Sequence, residues 1–220
     1  MRVEKSTEIQ ASTITPEDLK AINAYAAGEL KEEDVFTFKA ILCDTQIDRD
    51  GEAFTAGTLR QLAELFRGKT VVKDHRPTAD NQIARIYRTR VDTDGDVSRL
   101  IAQCYMVRTD SNADLIREIR GGIKKEGSVS CAVRKRTCSI CGCDFSETVC
   151  RHVPGRVYNG ATCCRILSDA QDAYEFSLVA VPAQREAGIA KAFAAQEKAE
   201  KARIRARAAA LTATMNYEED

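Results

Sequence analysis

Apolar residues recur at every second position along several stretches of the chain and at helical spacing along others. Phe36, Phe38, Ala40 and Leu42 alternate with neighbours of the other face and predict a strand over Val35 to Cys43. Leu59, Leu62, Ala63 and Phe66 instead follow an i, i+3, i+4, i+7 pattern, with Thr55 before them as an N-cap and Gly68 after them as a stop. This predicts an amphipathic helix. Upstream, Thr15-Pro16 with Asp18 reads as a helix start, Leu19, Ile22 and Ala26 form a thin apolar stripe, and Gly28 ends it. The acidic run Glu29 to Asp34 reads as a linker, so the globular body begins at Val35.

Further along, Thr70 to His75 predicts a strand running into Arg76-Pro77. Gln82 to Thr93 and Val97 to Val107 are two more, joined by the tight-hairpin signal Asp94-Gly95. Leu115, Ile116 and Ile119 mark a short helix closed by Gly121-Gly122. In Lys125 to Val133 an apolar face of Val129, Cys131 and Val133 opposes a small, polar face of Ser128, Ser130 and Ala132. Gly127 allows the backbone to bend or to approach another chain closely just before Ser128. Ala173 to Pro182 is a last strand, with Glu175, Ser177, Val179 and Val181 on one face and Tyr174, Phe176, Leu178 and Ala180 on the other. A carboxylate among such neighbours requires a buried hydrogen bond or a charged partner. Hairpin connections dominate, which predicts an α+β fold: an antiparallel or mixed, β-barrel-like sheet with helices packed outside.

One loop invites a metal reading and fails it. Asp48, Asp50 and Gly51 match part of a calcium loop, but Gln46 holds the first ligand position and Gly57 the closing one, so the segment reads as a turn.

Composition narrows the function class. The 220 residues carry 33 basic and 33 acidic side chains, and this neutrality argues against nucleic acid as a partner. No apolar run resembles a signal peptide or could span a bilayer, which predicts a cytoplasmic protein without membrane contact. In that compartment nine cysteines point to metal or reduced thiols rather than disulfides. Six of them (Cys138, Cys141, Cys143, Cys150, Cys163 and Cys164) crowd one segment together with His152. Cys138-Ser-Ile-Cys141-Gly142 is a C-x2-C knuckle, a short turn that presents two thiolates to one ion. Cys138, Cys141, Cys150 and His152 are the first-choice ligands of a structural zinc; Cys163 or Cys164 is the alternate to His152, and Cys143 a bystander.

The chain has only two histidines, and His152 is occupied in the cysteine reading. A serine nucleophile needs a base within reach, which leaves His75. The adjacent Asp74 is a poor partner for His75, because neighbouring strand residues face opposite ways.

The order of these features resembles the prohead proteases of tailed phages, capsid-maturation enzymes related to herpesvirus assemblin. The resemblance rests on the Phe54 to Phe66 helix with Gly68-Lys69-Thr70, on Asp74-His75, on Glu126-Gly-Ser-Val-Ser-Cys131 and on Tyr174-Glu-Phe-Ser-Leu-Val-Ala-Val-Pro-Ala183, and covers roughly residues 35–192. It implies a serine endopeptidase with Ser128 as nucleophile, His75 as general base and Glu175 as third member. It departs at Ser130, where a glycine is usual. The family likeness further implies action inside the assembling procapsid in the host cytoplasm, a capsid or scaffold precursor as substrate, self-cleavage and self-association. The expected organisation is an N-terminal leader and helix (1–34), a protease domain (35–193) with a zinc-knuckle insert (136–166), and a charged helical tail (194–220) that recruits the enzyme to capsid or scaffold. The competing readings are a non-catalytic zinc-knuckle binding module and a scaffold protein of the particle.

Overall fold

The computed structural model describes residues 14–189; the predicted tail and most of the leader lie outside the described residues. In chain order its elements are α1 (Pro16–Asn23), β1 (Val35–Asp44), β2 (Glu52–Phe54), α2 (Ala56–Phe66), β3 (Thr70–Lys73), β4 (Ala84–Asp94), β5 (Val97–Val107), α3 (Ala113–Arg120), β6 (Gly127–Cys138), β7 (Val157–Tyr158), β8 (Ala161–Thr162), β9 (Arg165–Leu178) and β10 (Gly188–Ile189). None of the helices is long and apolar enough to cross a membrane, among the described residues.

Helix α2 forms for the reasons its sequence suggests. Thr55 caps it by accepting the Thr58 N–H at 3.0 Å, and the periodic face of Leu59, Leu62, Ala63 and Phe66 is buried. Burial of each larger side chain contributes about 1.5–3 kcal/mol. Thr58 also donates its hydroxyl to the Leu167 carbonyl at 3.1 Å, which fixes the helix to β9. Helix α1 stops at Asn23, well before Gly28. The Asn23 side chain both donates to the Leu30 carbonyl (3.0 Å) and accepts the Leu30 N–H (2.8 Å), so the following chain closes into a loop instead of continuing the helix.

The sheet is mixed, eight-stranded and open, in the order β10-β1-β5-β4-β3-β9-β2, with β6 paired to β9. Strands β2 and β3 run parallel to β9 and the other pairings are antiparallel. This corrects the barrel-like expectation. Strand β10 is two residues long and bridges only Glu126, the residue just before β6, through Gly188. A pairing that short cannot carry a ladder along β6, so no strand covers that edge beyond the bridge among the described residues. Gly188 sits in the crossing at φ +152°, where a Cβ would fall 2.1 Å from the Lys125 carbonyl oxygen.

Strands β6 and β9 form the longest ribbon of the fold. The sequence pattern locates only the second half of β9, which begins at Arg165 and ends at Leu178 rather than running from Ala173 to Pro182. Two bulges hide the first half. Ser130 pairs with Glu175 but Cys131 with Ala173, leaving Tyr174 as an extra residue that is half exposed; Gln171 is extra in the same way. An extra residue breaks two-residue alternation. The clean two-faced pattern expected of β6 is also absent: Ser128 to Val133 are all half-buried, because one edge of the strand lacks a neighbour.

Candidate functional site

Strand β9 runs between β3 and β6, and this position gathers the polar residues. On one side Thr70 lies opposite Glu175 and Val72 opposite Ser177; on the other Ser130 lies opposite Glu175 and Ser128 opposite Ser177. Directly paired residues project to one face with Cβ atoms about 4.5–5.5 Å apart across an antiparallel pair. Ser128, Ser130, Glu175 and Ser177 therefore share one face. Gly127 makes the approach possible: a Cβ there would lie 2.1 Å from the Phe176 ring.

His75 reaches this face through an unusual turn. After β3 the chain passes through Asp74 and His75 at φ +54° and +50°, left-handed conformations that cost a residue with a Cβ roughly 1–2 kcal/mol. Hydrogen bonds hold the turn. Asp74 N–H donates to the Leu178 carbonyl (3.0 Å), His75 N–H to the Ser177 hydroxyl (2.8 Å) and Arg76 N–H to the Lys73 carbonyl (3.1 Å). The Asn81 side chain then donates to the carbonyls of both Lys73 (2.7 Å) and Arg76 (2.8 Å).

The result sets the His75 ring against Glu175, with Nδ1 2.7 Å from Oε1. The Glu175 side chain is 4% exposed and that of His75 43%, so a buried carboxylate backs an imidazole open to solvent. When Glu175 is the acceptor of this bond, Nδ1 is the protonated ring nitrogen and Nε2 the basic one. Glu175 thus has the partner its apolar neighbours demand, and the carboxylate that partners His75 is Glu175 rather than Asp74. Its other oxygen, Oε2, is buried and makes no hydrogen bond.

Ser177 and Asn81 were not singled out as site residues by sequence reasoning. Ser177 had a signal, since it lies two residues beyond Glu175 on the same predicted strand face; the structure buries it completely. Asn81 had none, because only the folded turn brings it to Lys73 and Arg76.

At the far end of the same ribbon, Cys138 closes β6 and Cys163 and Cys164 lead into β9. The ligand atoms of Cys138, Cys141, Cys150 and His152 lie within 4.8 Å of one another, a Cys3His group that can hold a metal ion such as zinc. Cys141 and Cys150 sulfurs are 3.5 Å apart, and Cys150 is 3.4 Å from His152 Nδ1. Burial opposes ionisation of Cys138, but the Cys141 and Ile140 amides directed at its sulfur, helped by Cys150 and Cys141, bring the thiol down to about 6. The His152 amide favours a Cys150 thiolate, yet burial and the Cys141 and Cys138 sulfurs push it up to about 11. The amides thus favour the Cys138 thiolate while the neighbouring sulfurs oppose that of Cys150, and a cation would draw out the remaining thiolates.

Of the alternates, Cys163 sits 3.9 Å from the Cys138 sulfur but outside the group of four. Cys164 is buried, and its amide bonds the Ser139 hydroxyl. Cys143 turns to Thr148, 2.7 Å away. Cys43, Cys104 and Cys131 are thiols of the sheet whose ionisation burial opposes. Compared with models of known families, with curated proteins and with solved structures, the chain matches none of them.

Proposed function

We propose that the protein is a serine endopeptidase of the prohead-maturation type, cleaving a capsid or scaffold precursor in the assembling procapsid. The observation that carries this reading is the His75–Glu175 pair at 2.7 Å, built on the strand whose neighbour bears Ser128. Buried carboxylate, solvent-facing imidazole and a serine on the same sheet face are the parts acyl transfer requires. In this mechanism Ser128 Oγ attacks the scissile carbonyl while His75 Nε2 takes its proton. The imidazolium, stabilised by Glu175 through Nδ1–H, then protonates the leaving amine, and water releases the acyl group by the reverse sequence.

Two features favour Ser128 over Ser130 as nucleophile. Ser130 stands directly opposite Glu175, the carboxylate whose Oε2 is unpartnered, so it is paired with the charge-stabilising member rather than with the His75 anchor. Ser128 stands opposite Ser177, the residue that anchors the His75 backbone. The Cys3His group serves as a structural zinc clip at the other end of the ribbon. Incubation of the purified chain with its cognate capsid precursor tests the reading: cleavage that disappears in Ser128→Ala supports it. Cleavage that survives in Ser128→Ala, or its absence in the parent protein, leaves the second reading, a non-catalytic binding module organised by the Cys3His group.

A further inference from the structure

The metal loop presents a surface that neither the hydrolase reading nor the sulfur cluster uses. From Val149 to Val153 direction alternates: Cys150 and His152 contribute to the cluster, while Val149 and Arg151 are exposed and Val153 is 45% exposed. Val149 is 97% exposed and Val157, on β7, 64%. A single exposed valine is ordinary, but three at every fourth position of one nine-residue stretch leave apolar side chains without cover along the whole segment.

The loop is held in shape. Val153 N–H donates to the Tyr158 hydroxyl (3.0 Å), Arg156 N–H to the Val153 carbonyl (3.1 Å) and Gly155 N–H to the Cys163 carbonyl (2.8 Å). A fixed apolar surface loses less entropy when a partner covers it.

Charge concentrates in the same segment. Residues 134–165 hold six basic side chains (Arg134, Lys135, Arg136, Arg151, Arg156 and Arg165) against Asp144 and Glu147, a local excess of four in a neutral chain. Arg134 pairs with Asp169 and Arg165 with Glu52, whereas Lys135, Arg136, Arg151 and Arg156 form no ion pair among the described residues. Asp144 bridges to Thr137 at the end of β6 and accepts the Thr148 N–H at 3.0 Å, which ties this basic strand end to the loop.

Positive charge alone suits a nucleic acid or an acidic protein, and the remaining side chains decide between them. A nucleic acid strand stacks its bases on aromatic rings. Here Tyr158 is engaged edge-on by His152, with centroids 4.6 Å apart, and Phe145 by the Arg165 guanidinium at 5.7 Å. The apolar side chains left open are valines.

We infer that the Val149–Val157 loop and its basic neighbours dock an acidic peptide segment carrying aliphatic side chains, supplied by a partner protein. The inference does not rest on the serine chemistry. Fluorescence anisotropy on the full chain, purified without chelators, tests it with three labelled probes: a short peptide alternating Glu and Leu, its Gln-Leu counterpart, and a short oligothymidylate. The Glu-Leu peptide is expected to bind about tenfold more tightly than either of the others. A Val149→Ser, Val157→Ser variant and an Arg151→Ser, Arg156→Ser variant should each weaken it about tenfold or more, with melting temperature and metal content unchanged. Oligothymidylate binding tighter than the peptide and indifferent to the valine changes would assign the surface to nucleic acid and overturn the inference. Peptide binding that ignores the valines, or no binding of any probe, overturns it too.

Discussion

The two ends of the β6–β9 ribbon are built by opposite strategies. At the metal end the donors come from one continuous segment, Cys138 to His152, and a few short turns bring them within 4.8 Å of each other. At the polar end His75 and Glu175 are 100 residues apart and meet only because β3 pairs with β9, while β6 brings Ser128 and Ser130 to the other side of β9. The first site needs local turns and the second needs the whole sheet. Damage to one should therefore be separable from damage to the other, and a graded set of substitutions tests this.

The largest effect belongs to the polar end. Ser128→Ala should lower kcat for precursor cleavage about 10⁴-fold or more while leaving the melt and metal content intact. His75→Ala should do the same, and the double variant should be no worse than either, since nucleophile and base act as one unit. Additive losses in single-turnover assays would refute their joint role. Glu175→Gln should be impaired to a smaller degree, because a neutral amide still reaches Nδ1 but no longer stabilises an imidazolium.

Next comes the metal end. A Cys138→Ser, Cys141→Ser variant should lose bound zinc in elemental analysis and melt at a lower temperature. Zinc at a thousandfold excess over its Kd stabilises the chain by about 4 kcal/mol, and that stabilisation would be forfeited. Unchanged metal content and melting would exclude the Cys3His site.

The same contrast explains what could be read from the sequence. A C-x2-C knuckle followed by a cysteine and a histidine encodes its geometry in its spacing, so the four donors were legible as residues. Strand β1 and helix α2 were legible because apolar periodicity reports burial wherever an element has one covered face. The His75–Glu175 pair was visible only as an isolated histidine and a carboxylate among apolar neighbours, with the family resemblance to connect them. The first half of β9 was invisible because bulges at Gln171 and Tyr174 interrupt alternation. Open-sheet topology was illegible for a different reason: closure depends on how far a two-residue strand can pair, and no periodicity records that.

A smaller effect is expected from Ser177→Ala. The hydroxyl accepts the His75 amide where the backbone is left-handed, so its loss frees the turn and leaves that N–H without its partner. Stability should fall by about 1 kcal/mol. The informative readout is the Nδ1 proton of His75, which a carboxylate hydrogen bond shifts far downfield in proton NMR. That signal should weaken or broaden in Ser177→Ala, and kcat should fall about tenfold with KM little changed. A full downfield signal with normal kcat would show that the sheet, rather than this hydroxyl, positions the ring.

Ser130→Ala should have the smallest effect, and it sharpens the comparison most. Ser128 and Ser130 project from the same strand toward the same face, so alternation cannot separate them. Their opposite numbers can. Ser130 is paired with Glu175 in register, on the half-buried stretch of β6, so removing its hydroxyl takes away no backbone pairing. Stability should change by no more than about 0.5 kcal/mol, and cleavage should stay within roughly threefold of the parent, since a neutral hydroxyl near a carboxylate already bonded to His75 adds little. If Ser130→Ala instead abolished cleavage while Ser128→Ala preserved it, the nucleophile would lie beside Glu175 rather than beside the His75 anchor. The imidazole would then have to serve a serine on the same side as its own carboxylate, and the division of labour along β6 proposed above would be reversed.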